Sequence, residues 1–134
     1  MDSFDDVQQS LGRCLRLDDN FTDRFYHKLL ARNERIREMF ENTDWERQRK
    51  AIRRGISLMI TFAGTPGVAR RQVAEIAQVH SRQGHAPVAP ELYAHWIESL
   101  VAAIGEADPK FDETLEQRWR EALEPGIEMI ISQY

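Results

Sequence analysis

Two polar side chains stand on helical faces that otherwise bury carbon. His80 lies seven residues after Val73, four after Ile76 and three after Ala77, so its imidazole joins their stripe just before Gly84. That placement has two readings, a hydrogen-bonded core histidine or a metal ligand, the second being the sharper. Gln48 lies three after Trp45 and four before Ile52, on the inner stripe of a long helix. Its plain reading is a partly exposed glutamine near a helix start. Tyr26 adjoins the stripe residue Phe25, and its ring is compatible with ordinary core packing.

The remaining histidines are His27, His85 and His95. His85 follows His80 by five positions, a poor separation for one helical face, and it comes after Gly84. A zinc site would need three or four converging ligands, and Cys14 has no second cysteine with which to bind metal or form an intramolecular disulfide. The chain has no glycine-rich phosphate loop, nucleophile elbow or His-Glu-x-x-His motif. Arg47, Arg49, Lys50, Arg53 and Arg54 fall on the outer side of a helix and read as a solvated face.

The elements that must position these groups are helical throughout, with no strand-like alternation. Phe4, Val7, Leu11 and Leu15 form a first stripe, with Ser3 as its expected cap and Asp18, Asp19 and Asn20 closing it. Phe21, Phe25, Leu29 and Leu30 begin a second helix, and Ile36, Met39 and Phe40 a short helical turn after it. Thr43 and Glu46 have capping-box spacing before the stripe Trp45, Ile52, Ile56, Met59 and Ala63. Gly64, Pro66 and Gly67 stop that helix, Val73 to His80 mark the next, and Gly84, Pro87 and Pro90 break the chain again. Pro90 suits the first turn of a helix carrying Tyr93, Ile97, Leu100, Val101 and Ile104, which Gly105 is expected to end. Asp108-Pro109 is the expected start of a last helix along Phe111, Leu115, Trp119, Leu123, Ile127 and Ile130, kinked or loosened by Pro125.

At 134 residues and 42% hydrophobic content the chain suits one domain with one core, residues 1–134. Its net charge of −4 argues against a dedicated nucleic-acid binder. The start Met-Asp-Ser-Phe-Asp-Asp lacks a secretory signal, and Ile56 to Ala63, the most apolar segment, is far short of a membrane span. A cytoplasmic protein, with no membrane partner, is the expectation.

Taken in order, Phe25-Tyr26-His27-Lys28-Leu29-Leu30, the Met39-Phe40 end of the following turn, Gln48 with Ile52 four later, and Ile76-Ala77-x-x-His80-x-x-x-Gly84 ahead of Pro90-x-x-Tyr93 resemble a bacterial globin over nearly the whole chain. The pattern is similar to single-domain bacterial haemoglobins, to the haem domain of flavohaemoglobins and to that of globin-coupled sensors. The resemblance implies an all-α globin fold, a three-over-three helical sandwich around one haem b (iron protoporphyrin IX). It implies that His80 is the proximal iron ligand, that Phe40 wedges the haem, that Tyr26, Gln48 and Ile52 line the distal side, and that Tyr93 packs by the proximal histidine and haem edge. His85 then sits at an enlarged corner within reach of a propionate, where it competes with His80 as ligand.

The function so implied is reversible binding of oxygen, and of CO and NO, with Tyr26 and Gln48 as hydrogen-bond donors favouring slow oxygen release. Oxygen transport, storage or scavenging follows. Alternatives are a nitric oxide dioxygenase served by an external reductase and a gas-sensing haem module, as monomer or homodimer. Two departures weigh against oxygen activation: Tyr134 stands where flavohaemoglobins place a glutamate on the proximal imidazole, and the chain stops near the end of the haem domain, with no flavin or nicotinamide module.

Overall fold

The computed structural model describes residues 2–134, in seven α-helices and no strands among the described residues. In chain order they are α1 (Asp5–Leu17), α2 (Phe21–Arg32), α3 (Glu34–Met39), α4 (Trp45–Gly64), α5 (Pro66–Val79), α6 (Tyr93–Ala107) and α7 (Glu113–Ser132), with a tight helical turn at Pro90–Leu92 leading into α6. The all-α expectation holds, and the predicted stripes fall on these helices, except that Phe4 precedes α1 and Phe111 precedes α7. α4 packs on α5 and α7, α2 on α6, and α5 on α7, so the inner stripes meet in one core. No helix is long and apolar enough to cross a membrane among the described residues.

The helix ends differ from the expected caps, each time because a tertiary contact or a stronger neighbour takes over. Ser3 does not cap α1. Phe4 precedes it instead, in left-handed backbone (φ 57°), and its carbonyl oxygen accepts from the Val7 and Gln8 N–H groups. The Arg118 guanidinium holds this entry by lying over the Phe4 ring, 4.4 Å from its centre, and bonding Asp2 and Asp6. The Thr43–Glu46 box does not form, because the Asp44 carboxylate, the stronger acceptor at the positive end of a helix, takes the Arg47 N–H. α6 runs past Gly105 to Ala107. A Cβ at Gly105 would sit 3.3 Å from the Phe111 ring, so the glycine admits that ring and does not end the helix. α7 continues through Pro125 to Ser132, with Leu123, Gly126, Ile127 and Ile130 buried along its inner face.

Asp108 departs furthest from expectation. Asp112 caps α7, accepting from Leu115 N–H at 2.7 Å, while Asp108 turns inward. Its side chain is fully buried. Arg13 Nε and Nη2 donate to it at 2.7 and 2.9 Å, Ser10 Oγ at 2.6 Å and Lys110 N–H at 2.9 Å. Trp119 Nε1 donates in turn to Ser10 Oγ at 2.9 Å, so one carboxylate joins α1, the end of α6 and α7. Burial opposes its ionisation, but the Arg13 and Ser10 hydrogen bonds prevail and hold the carboxyl down at about 2.

Because the folded value lies below the ordinary 3.8, this stabilisation is present above pH 3.8 and is lost as the pH falls through about 2. Asp108→Ala, which strands the half-buried Arg13, is expected to cost about 3 kcal/mol at neutral pH by urea denaturation and to flatten the acid limb of stability. A loss below about 0.5 kcal/mol would show that the network contributes nothing net.

Candidate cofactor pocket

All seven residues singled out in the sequence, Tyr26, Phe40, Gln48, Ile52, His80, His85 and Tyr93, line one cavity of about 490 Å³. Tyr26 comes from α2, Phe40 from the end of α3, and Gln48 and Ile52 from the inner side of α4. The facing wall is His80 at the end of α5, the following loop with His85, and the start of α6 with Tyr93.

On the first wall, Tyr26 is buried in aromatic contacts. The Phe25, Trp45 and Phe40 rings meet it edge-on with centres 4.9, 5.1 and 5.5 Å away, and Trp45 stacks on Phe40 at 5.7 Å. Gln48 Nε2 donates to Tyr26 Oη at 2.8 Å, so the tyrosine proton is free to be donated elsewhere. Burial pushes the Tyr26 hydroxyl up to about 12, against the opposing pull of the Gln48 hydrogen bond, and it stays protonated at neutral pH.

On the second wall, His80 is half-buried and caps α5, its N–H bonding Ile76 O at 3.0 Å. Its Nδ1 lies 2.8 Å from the carbonyl oxygen of Ala86. A carbonyl oxygen only accepts, so in the neutral ring Nδ1 carries the proton and Nε2 keeps a lone pair, the state a metal ligand requires. The loop that supplies this carbonyl folds back on the helix end, with Ala86 N–H bonding Val79 O and Val88 N–H bonding His80 O. Gly84 permits the fold, since a Cβ there would lie 2.2 Å from the Gln78 carbonyl oxygen. His85 is exposed at the rim. Tyr93 is buried with its hydroxyl oxygen unpartnered, and burial pushes that hydroxyl up to about 12.

Leu29, Met39, Thr43, Val88, Leu92 and Trp96 also line the cavity and were not singled out. Leu29 and Trp96 had a usable signal, each lying three residues after a chosen tyrosine on the same helical face. Tyr134 lies outside the cavity, with the Arg82 guanidinium 4.9 Å from its ring centre. No carboxylate lines the cavity among the described residues.

The chain superposes with a TM-score of 0.92 on the crystal structure of a Pseudomonas aeruginosa protein described as structurally highly homologous to a human haemoglobin. The two are 33% identical, and the match covers 99% of this chain and 98% of that one. No protein-family model and no curated protein matches the chain. A helical fold closed around a cavity between α4 and the end of α5 defines the class, and the chain belongs to the bacterial globins.

That fold implies haem, and the residues present fit one. The cavity lies within the roughly 300–1,000 Å³ of cofactor sites. Its lining is mainly apolar, and it holds a histidine with Nε2 free, a hydroxyl proton free at Tyr26 and an unpartnered hydroxyl at Tyr93.

Tyr26 and Tyr93 are two of the three tyrosines. In an alkaline titration followed by ultraviolet absorbance, the folded protein near pH 10, the ordinary tyrosine value, is expected to give well under half the tyrosinate signal of the urea-denatured chain. Equal signals would show that the two hydroxyls are not buried.

Proposed function

We propose that the protein binds haem b in this cavity and reversibly takes up oxygen, CO and NO there, with His80 as the iron ligand. Haem held there would supply an iron centre able to take a protein ligand and a diatomic gas. The observation that carries the reading is the pairing of opposed groups in one space, His80 with Nδ1 satisfied by Ala86 on one wall and the Tyr26–Gln48 pair on the other.

The Ala86 carbonyl fixes the His80 tautomer and holds the ring in orientation. A backbone carbonyl polarises the imidazole less than a carboxylate does, and with no carboxylate in the wall His80 stays a modest electron donor. That chemistry favours holding a gas over activating it. Opposite, Gln48 anchors the Tyr26 oxygen so that the O–H is aimed by a hydrogen bond and three aromatic contacts. Such a buried donor would favour a bound oxygen, which carries partial negative charge, by roughly 1–3 kcal/mol and CO by little. Phe40 and Ile52 supply apolar wall, and exposed His85 stands at the rim, where a propionate carboxylate would lie.

The reading is tested by visible absorption of the purified, hemin-loaded protein, ferric, dithionite-reduced, and reduced under CO or oxygen. A Soret band is expected that is lost or altered in His80→Ala and retained in His85→Ala. The reverse pattern would make His85 the ligand, and no band in any form would overturn haem binding. In stopped-flow displacement by CO, Tyr26→Phe is expected to release oxygen about ten- to a hundred-fold faster. Release no faster than wild type would show that the Tyr26 hydroxyl does not hold the bound gas.

A further inference from the structure

While Gln48 and Ile52 on the inner side of α4 line the cavity, Arg47, Lys50, Arg53 and Arg54 are exposed on its outer side. The helix holds five basic side chains and one acidic, a charge of +4 in a chain of −4, so the rest of the protein carries −8. Elsewhere Arg13, Arg24, Lys28, Arg35, Arg71, Arg118 and Arg120 are each engaged by carboxylates, and the cations without a carboxylate partner among the described residues, Arg16, Arg32, Arg37, Arg70, Arg82 and Lys110, are spread singly over other helices and loops. On α4, Arg49 bonds Asp23 of α2 at 2.7 Å, and Lys50 comes within 4.0 Å of Glu46 with both side chains largely in water. Arg47, Arg53 and Arg54 have no carboxylate partner among the described residues; Asp44, which bonds the Arg47 N–H, is the acid at the start of the face.

The geometry points to the outer face of α4 as the docking surface for an acidic electron-donor protein, of the flavodoxin or ferredoxin kind. The inference rests on the haem reading above. A helix is about 10–12 Å across with its side chains, so a donor seated there is one helix diameter from the cavity. One electron passes from the donor's reduced flavin or cluster to ferric iron, which becomes ferrous, and no bond or proton is exchanged. The exposed cations of this face, Arg47, Lys50, Arg53 and Arg54, make a local positive field that draws an acidic partner before contact.

Other polyanions fit less well. Leu17, Met39, Val68 and Val79, the exposed large apolar side chains, all lie off α4, so the face offers nothing to insert into a membrane. Trp45, its one aromatic beside the charges, is stacked on Phe40 and is no platform for bases.

The test uses an acidic flavodoxin and the haem-loaded protein, with calorimetry for binding and stopped-flow absorption for reduction. Raising ionic strength from about 0.02 to about 0.2 M shortens the Debye length from about 20 to about 7 Å, and affinity is expected to fall at least about ten-fold. Arg47→Glu/Arg53→Glu/Arg54→Glu is expected to weaken low-salt binding and slow reduction by a similar factor, with dithionite reduction and the CO spectrum unchanged. Arg16→Glu/Lys110→Glu, exposed cations off this face, is expected to change binding less than about two-fold.

Salt-independent binding, no binding, or equal loss in both variants overturns the proposal. It is also overturned if flavodoxin does not bind but single-stranded RNA, phosphatidylserine vesicles or a second copy of the chain does, and the triple variant abolishes that binding. A chain that takes up no hemin overturns the haem reading instead. Calorimetry of flavodoxin on the same chain still decides the surface.

Discussion

A cavity of about 490 Å³ inside a close-packed helical protein is the constraint around which the other features arrange themselves. Left dry and empty, such a space would forfeit the packing contacts that its lining side chains would otherwise make. Two features keep that cost from being realised. The exposed rim at His85 and Pro87 lets water in, and the wall contains hydroxyl, amide and imidazole groups that hydrate. An occupant with a broad apolar body and a few polar edges recovers the missing packing, so cavity and cofactor account for each other energetically.

A space of this kind survives only if both walls are propped from behind. On the α4 side, Phe25, Phe40 and Trp45 surround the Tyr26 ring, and Gln48 fixes its oxygen, so the tyrosine cannot swing in to fill the gap. On the α5 side, the chain after His80 folds back onto the helix end, where Val79 and His80 carbonyls accept from Ala86 and Val88. The carbonyl of Ala86 meanwhile holds the His80 ring. Far from the cavity, the buried Asp108 network joins α1, α6 and α7, and these helices form the frame against which both walls are held.

Much of this was legible in the residues. A stripe that buries apolar side chains at helical spacing reports its own inner face, so a polar group on the stripe is visible as an exception, and Gln48 and His80 were found that way. The helix ends were less legible because adjacent candidates compete and distant contacts decide between them. Thr43 and Asp44 both offer a cap, and Asp108 is drawn from the expected one by Ser10 and Arg13, almost a hundred positions away in sequence. The Ala86 bond to His80 was illegible for another reason: a backbone carbonyl carries no side-chain signature, and Gly84 signals a break in the chain without saying where the loop returns.

α4 divides its two sides between packing and solvent. Its inner face must present Gln48 and Ile52 at a fixed depth, which its burial against α5 and α7 at Ile56, Met59 and Ile60 secures. Its outer face has no packing duty and is free to vary in charge. If solubility alone governed that face, basic and acidic residues would be interspersed, as they are where Arg118 and Arg120 meet Asp6, Glu98 and Glu116. Instead three arginines stand without carboxylates on a helix of charge +4, within a chain of net charge −4. Clustering of this degree raises the energy of the isolated molecule slightly through like-charge repulsion, a cost that an acidic partner on that face would offset.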